Sequence, residues 1–243
     1  MKKEKDAYGQ QILAHYNKEP SYEIIERDDG LIAFSTGAPA YFAEYKDWPE
    51  IQKQAIKFVK GKALDIGAGA GRICLYLQKK GIDVLGIDNA PYAVEVCKKR
   101  GVKKAKVIPI EKINTFKPKT FDTIIMMGNN FGLFGNPKKA KKLLKTMHKI
   151  TTPDALIVAE SMDPYKTKDP DHLSYHKFNK KRGKWPGQAK IRLRFRRTIG
   201  DWFEYLFVSE KEMKEILKDT GWKIKKTIKA KKGPSYVAVI EKA

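Results

Sequence analysis

The run Lys62-Ala63-Leu64-Asp65-Ile66-Gly67-Ala68-Gly69-Ala70-Gly71-Arg72 constrains the fold more than any other part of the chain. An apolar run ends in an acid, glycines follow at alternate positions, and Ile73-Cys74-Leu75-Tyr76-Leu77-Gln78 then reads as a helix. This predicts a strand, a tight turn and a helix start. Glycine has no Cβ, so the turn lets backbone come close to a ligand. A helix start also leaves unpaired N–H groups there. A dinucleotide fingerprint is Gly-x-Gly-x-x-Gly, but Arg72 stands where its third glycine belongs. Asp65 would repel a pyrophosphate, which argues against a nicotinamide enzyme and favours a ligand with an amino group or cationic centre.

A second strand, Asp83-Val84-Leu85-Gly86-Ile87-Asp88, also ends in an acid. Asp88 falls near the spacing, about 20 residues, at which nucleoside-binding folds place a ribose-gripping carboxylate. Such a group accepts hydrogen bonds from both ribose hydroxyls. The structural alternative makes the glycines a mere turn and Asp88 a helix cap before Asn89-Ala90-Pro91. Two acids ending consecutive buried-type strands favour the ligand reading.

On Asp65–Gly71 and Asp88 the chain resembles the class I S-adenosylmethionine-dependent methyltransferases, from about Trp48 onward. The resemblance implies S-adenosylmethionine as cofactor, with Gly67, Ala68 and Gly69 under its methionine part and Asp65 near its amino group. Arg72 and Asn89 would stand beside it, Asp88 would grip the ribose, and Ile110 and Glu111 would flank adenine. Many relatives carry an aspartate in that adenine-side turn, where this chain has Val107-Ile108-Pro109-Ile110-Glu111. Gly128 and Asn129 would complete the cofactor site. The stretch Gly128–Gly135 lacks the Asp/Asn-Pro-Pro-aromatic motif of enzymes that methylate planar base or amide nitrogens. Its structural alternative is a turn whose asparagines cap the helix at Pro137.

The pattern predicts α/β architecture: a Rossmann-like, seven-stranded, mostly parallel sheet with helices on both faces. Residues 1–47 form an N-terminal arm, with a hairpin turning at Asp28-Asp29-Gly30 and a lid candidate at Tyr41–Tyr45. Residues 48–160 form the cofactor-binding core, opening with a helix from Trp48 to Val59. A third strand is expected over Ala105–Ile110, a fourth over Phe121–Met127 and a fifth over Ala155–Ala159. Residues 161–208 form a basic insertion over the acceptor site, containing a β-hairpin that turns at Thr198–Asp201. Residues 209–243 complete the sheet, with a capping box at Ser209 and Glu212.

Within the insertion, Asp169 and Asp171 are far outnumbered by lysine and arginine. Arg192, Arg194 and Arg196 share one strand face, and Tyr175, Phe178, Trp185 and Trp202 interleave with the charge. With a net charge of +22, this points to an anionic acceptor: small molecule, protein or RNA. It also keeps open an RNA-binding module of methyltransferase fold with little or no catalysis. A solvated basic surface is the structural alternative. The segment from Asp171 to Phe203 resembles methyltransferase-domain proteins of bacteria and archaea, which implies no substrate.

Methyl transfer needs a general base only for an acceptor proton of high pKa. No Ser-His-Asp, Cys-His or paired-carboxylate arrangement is legible. The catalytic candidates are Asn129, Asn130, Tyr175 and His176, with His172, Tyr165 and Glu160 behind them. Cys74 and Cys97 have no metal spacing, and no metal is expected. The first residues lack the apolar stretch of a signal peptide, and no apolar run is long enough for a bilayer. A cytoplasmic location is expected. The sequence leaves the acceptor and the oligomeric state open.

Overall fold

The computed structural model describes residues 1–35 and 37–243. In chain order the elements are α1 (Ala7–Tyr16), β1 (Glu23–Arg27), β2 (Ile32–Ser35), α2 (Pro39–Phe42), α3 (Glu50–Ala55), β3 (Ala63–Ile66) and α4 (Arg72–Lys79). There follow β4 (Val84–Asp88), α5 (Pro91–Lys99), β5 (Ala105–Val107), β6 (Phe121–Met126), α6 (Pro137–Ile150), β7 (Thr151–Met162) and α7 (Pro170–Lys181). The chain closes with β8 (Gln188–Phe195), β9 (Thr198–Ile199), β10 (Phe203–Leu206), α8 (Glu210–Leu217), β11 (Trp222–Lys229) and β12 (Ser235–Lys242).

The core is a seven-stranded sheet in the order β11-β12-β7-β6-β3-β4-β5. Strands β3 to β7 pair in parallel, and β12 runs antiparallel between β7 and β11. Buried strands need apolar side chains on both faces. In β7, Ala155, Ile157 and Ala159 pack with Leu144 and Met147 of α6 and Met213 and Ile216 of α8. Leu156 and Val158 pack on the other face, in the cluster that holds α3, α4 and part of α5. Each fully buried branched side chain contributes roughly 1.5–3 kcal/mol, so this two-sided core makes the sheet a rigid base for the loops at its carboxyl edge.

A second sheet covers that edge. Its strands run β10-β8-β1-β2, all antiparallel, with β9 folded back on β8. The arm and the insertion therefore form one sheet rather than two separate hairpins. The joint is β1 against β8, where Ile25 pairs with Leu193.

Several expected boundaries shift. The first core helix spans only Glu50–Ala55, followed by a 3-10 turn at Ile56–Phe58, and β5 stops at Val107. Strand β7 reaches both ways beyond Ala155–Ala159. The hairpin turns at Arg196 (φ +51°) rather than at Thr198–Asp201, because Thr198 and Ile199 already pair with Phe195 and Arg194. The capping box forms at Ser209 and Glu212.

Candidate active site

The chain leaves β3 toward β4 and β5 on one side and reaches β6 on the other. Open parallel sheets bind ligands at the carboxyl edge beside such a reversal. The turn after β3 carries left-handed φ at Gly67, Gly69 and Gly71. At Gly71 a Cβ would come within 2.6 Å of Val102 Cγ2 and 3.0 Å of Cys97 Sγ, so only glycine lets α5 pack there.

Four of the turn's five amides are spent inside the chain. Gly67 and Ala68 N–H both donate to the Ile87 carbonyl, Gly69 N–H to Asp88, and Gly71 N–H to the Ala68 carbonyl. The expected row of free N–H groups is therefore missing at Gly67–Gly71. What this turn offers a ligand is close approach and negative charge, not an anion cradle.

A cavity of about 1540 Å³ opens over this edge. Asp65, Gly67, Ala68 and Arg72 line it from the first turn, and Asp88 and Asn89 from the second. Ile110, Glu111, Gly128 and Asn129 line it from the turns after β5 and β6. Gly69 is not on its wall: Tyr8 and Tyr41 cover it, with the Tyr8 hydroxyl 3.0 Å from where a Cβ would stand.

Asp88 is buried; one oxygen accepts from Gly69 N–H and the other from Ala90 N–H, both at 2.9 Å. It thus serves as the local cap and faces the cavity as well. Burial pushes its carboxyl up to about 6. Asp65 is buried, and among the described residues only the Cys74 thiol donates to it, at 3.4 Å. Burial raises it to about 7, against the opposing pull of the Cys74 thiol and Arg72. Both acids resist ionisation until a positive group arrives. The charge and the side-chain-free approach fit a nucleoside that carries a sulfonium and an ammonium.

The catalytic candidates separate in space. Asn130 donates its amide to the Ile66 and Gly67 carbonyls, at 2.9 and 3.0 Å, and so staples the two turns together. The Tyr175 hydroxyl donates to Asp28 at 2.6 Å and accepts from Lys190 N–H, so it is engaged away from any acceptor. Glu160 accepts from Gln52 and from Gly128 N–H, each at 2.7 Å. It positions the β6 turn and does not line the cavity. Arg72 donates to Gln52 and stacks over Trp48. His176 and His172 line the cavity on α7, and burial holds the His176 imidazole below its ordinary value. Tyr165 donates to Glu212. The helix at Pro137 is capped by Asn136, not by Asn129 or Asn130.

Asn129 stands apart. Its backbone is left-handed (φ +66°), its carbonyl accepts from the Tyr205 hydroxyl at 2.7 Å, and its side-chain Oδ1 is buried without a partner. Asparagine tolerates that conformation better than most residues. Sequence reading missed Tyr8, Glu23 and Tyr205, which line the same cavity. No local pattern marks them, since they reach the site only when arm and insertion fold over the core.

The lid sheet turns its apolar side inward. Ala189, Ile191 and Leu193 line the cavity, so the alternating Arg192 and Arg194 face away from it. They pair with Glu26, Arg196 pairs with Glu19, and Arg182 pairs with Asp28. Four arginines of the expected basic acceptor surface thus lie tied to acids of the arm, while Lys166 and Lys168 line the cavity.

Sheet order, paired acids and glycine turn define a class I S-adenosylmethionine-dependent methyltransferase. Comparison with known proteins agrees. Residues 64–159 match the methyltransferase domain family. The chain is similar to a Bacteroides fragilis S-adenosylmethionine-dependent methyltransferase solved with S-adenosyl-L-homocysteine: 28% identity, TM-score 0.85, covering 100% of this chain and 97% of that one. A Methanosarcina mazei methyltransferase shares the fold at 20% identity and TM-score 0.62, over 81% of this chain and 98% of that one. So does the Burkholderia thailandensis 1,6-didemethyltoxoflavin-N1-methyltransferase, solved with 1,6-didemethyltoxoflavin and S-adenosylhomocysteine. Its identity is 16% and its TM-score 0.55, over 82% of this chain and 80% of that one. No curated protein matches the chain. The protein is an enzyme of this class and uses S-adenosylmethionine. Among the described residues no helix is long and apolar enough to cross a membrane.

Proposed function

We propose that the enzyme methylates a small molecule enclosed between the core edge and a lid made of residues 1–47 and 161–208. The observation that carries this is the cavity of about 1540 Å³. One ligand commonly occupies about 300–1,000 Å³, so there is room for cofactor and acceptor together. When bound, S-adenosylmethionine supplies an electrophilic methyl group on a neutral leaving group, transferred by in-line displacement.

The chain's own residues bind, orient and keep the site dry. Asp88 takes the ribose hydroxyls, and Asp65 faces the amino end. Ile110 and Glu111 flank the adenine, with Glu111 held by Lys139. Gly128 and Asn129 lie beside the transferring group, fixed by Glu160 and Tyr205. Ile25, Ala33 and Leu193 of the lid exclude water. Charge disperses during the transfer, so a dry, apolar roof helps, and alignment supplies most of the rate.

A role in holding RNA gains no support from the insertion, whose arginines are largely paired within the chain. The Burkholderia enzyme, alike in fold only, was solved with 1,6-didemethyltoxoflavin bound.

Isothermal titration tests the cofactor assignment. Wild type binds S-adenosylhomocysteine at micromolar concentration, and Asp88→Ala loses at least about tenfold, the equivalent of roughly 1.4 kcal/mol. Unchanged affinity in a folded Asp88→Ala protein refutes the assignment.

A further inference from the structure

The lid sheet carries one buried acid over the cavity. Glu23 opens β1, is 5% exposed, and lines the cavity wall. Its carboxylate accepts from Gln11 Nε2 at 2.6 Å, Ser35 Oγ at 2.5 Å and the Tyr41 hydroxyl at 3.5 Å. All three donors are neutral. A buried carboxylate without a cation is costly, and burial accordingly pushes the Glu23 carboxyl up. The one cation on the same strand face, Arg27, is committed to a two-pronged pair with Asp29. Around Glu23 the inward face of the lid is apolar. The donors to Glu23 come from α1, β2 and α2, so the carboxylate also ties the arm together, but none of them supplies the missing positive charge.

A second acceptor faces the same space from the core side. Asn129 Oδ1 is buried without a hydrogen-bond partner, on a turn tied by its carbonyl to Tyr205. Tyr41 links the two sides: its hydroxyl touches Glu23 and its ring lies over Gly69 in the cofactor turn. A ligand between lid and core thus meets a carboxylate above and an unpartnered amide oxygen below. Asp65 and Asp88 on the floor are taken up by the cofactor in the reading above, which leaves Glu23 as the buried acid facing the acceptor. Wall lysines such as Lys139, Lys166 and Lys168 belong to other parts of the cavity lining, whereas between Glu23 and Asn129 a group with positive charge and N–H donors supplies the carboxylate's missing cation and the amide oxygen's missing donor.

We infer that the acceptor is a small molecule bearing a cationic, N–H-donating nitrogen, an amine or amidine, and that Glu23 is the residue that selects it. This rests on the enclosed-acceptor reading above. It reverses the anionic acceptor expected from the net charge, because the arginines of β8 sit on the outer face of the lid, paired with Glu26, while Glu23 lines the cavity.

The test uses the protein saturated with S-adenosylhomocysteine, which separates failure of this inference from failure of the cofactor assignment. Benzamidine and benzoate, equal in shape and opposite in charge, are titrated at millimolar concentration and followed by thermal shift and calorimetry. Benzamidine binds, benzoate does not, and Glu23→Gln weakens benzamidine at least tenfold while S-adenosylhomocysteine affinity stays within about threefold. In wild type, benzamidine affinity also falls as pH drops and Glu23 takes a proton, a readout that needs no variant. Benzoate binding as tightly as benzamidine overturns the inference, as do no benzamidine binding, a pH-independent affinity, or equal binding by Glu23→Gln. Transfer of labelled methyl from the cofactor into protein or RNA instead of low-molecular-weight material overturns it too.

Discussion

Asp65 and Asp88 show how one residue's surroundings set its chemistry. Both carboxyls are raised, to about 7 and about 6, because burial disfavours their charge. A raised folded-state value means that the folded chain keeps a proton which the unfolded chain has released. For Asp65 the cofactor-free protein therefore loses stability as pH rises from about 4 to 7, and the loss persists above that window. Binding a cationic ligand reverses the preference. S-Adenosylhomocysteine affinity is expected to rise roughly tenfold between pH 5.5 and 7.5. Asp65→Asn should flatten that profile, weaken binding, and raise the cofactor-free melting temperature at pH 8. Calorimetry and thermal melts across pH check all three, and a flat wild-type profile contradicts the account. These acids were legible in the sequence because each ends an apolar run beside a turn. Glu23 was not, because its burial exists only once Gln11, Ser35 and Tyr41 surround it.

At the scale of elements, apolar periodicity found the core and lost the lid. Helix α7 went unread because only Tyr175 and Asn179 are buried along it, leaving no apolar stripe, although Asp169 and Pro170 mark its start. Helix α1 buries Ala7, Gly9, Gln11, Ile12 and Ala14, a face too small and polar to stand out. The β1–β8 pairing joins residues far apart in sequence, and no local signal specifies such a partner. A hydrogen bond from the Tyr205 hydroxyl to the Asn129 carbonyl couples this sheet to the β6 turn. Tyr205→Phe removes it while keeping the ring, at a cost of about 1 kcal/mol. The expected outcome is a lower kcat with S-adenosylhomocysteine affinity within about threefold, read by single-turnover methyl transfer and titration. Unchanged turnover would show that the bond does not position the turn.

For the whole molecule, the cavity is the product of two sheets closing on each other, and neither encloses it alone. Cofactor binding should stabilise both together. At about 100 times its dissociation constant, a ligand adds about 2.7 kcal/mol, a rise in melting temperature of roughly 5–10 °C for a chain of this size. Hydrogen exchange should slow in β1 and β8 in step, since they share one ladder. Slowing in the core alone would mean that the lid does not respond to the cofactor site.

Local chemistry written along the chain determined the core: alternating strands and helices, glycine at the turns, an acid near the end of β3 and at the end of β4. Those signals act over a few residues, so they survive in one dimension. Which way the arginines of β8 point, which acid is left without a cation, and what charge the cavity shows its acceptor were decided only by the tertiary structure. Burial and pairing depend on neighbours brought from the far end of the chain, and a side chain's charge takes its meaning from what it finds there.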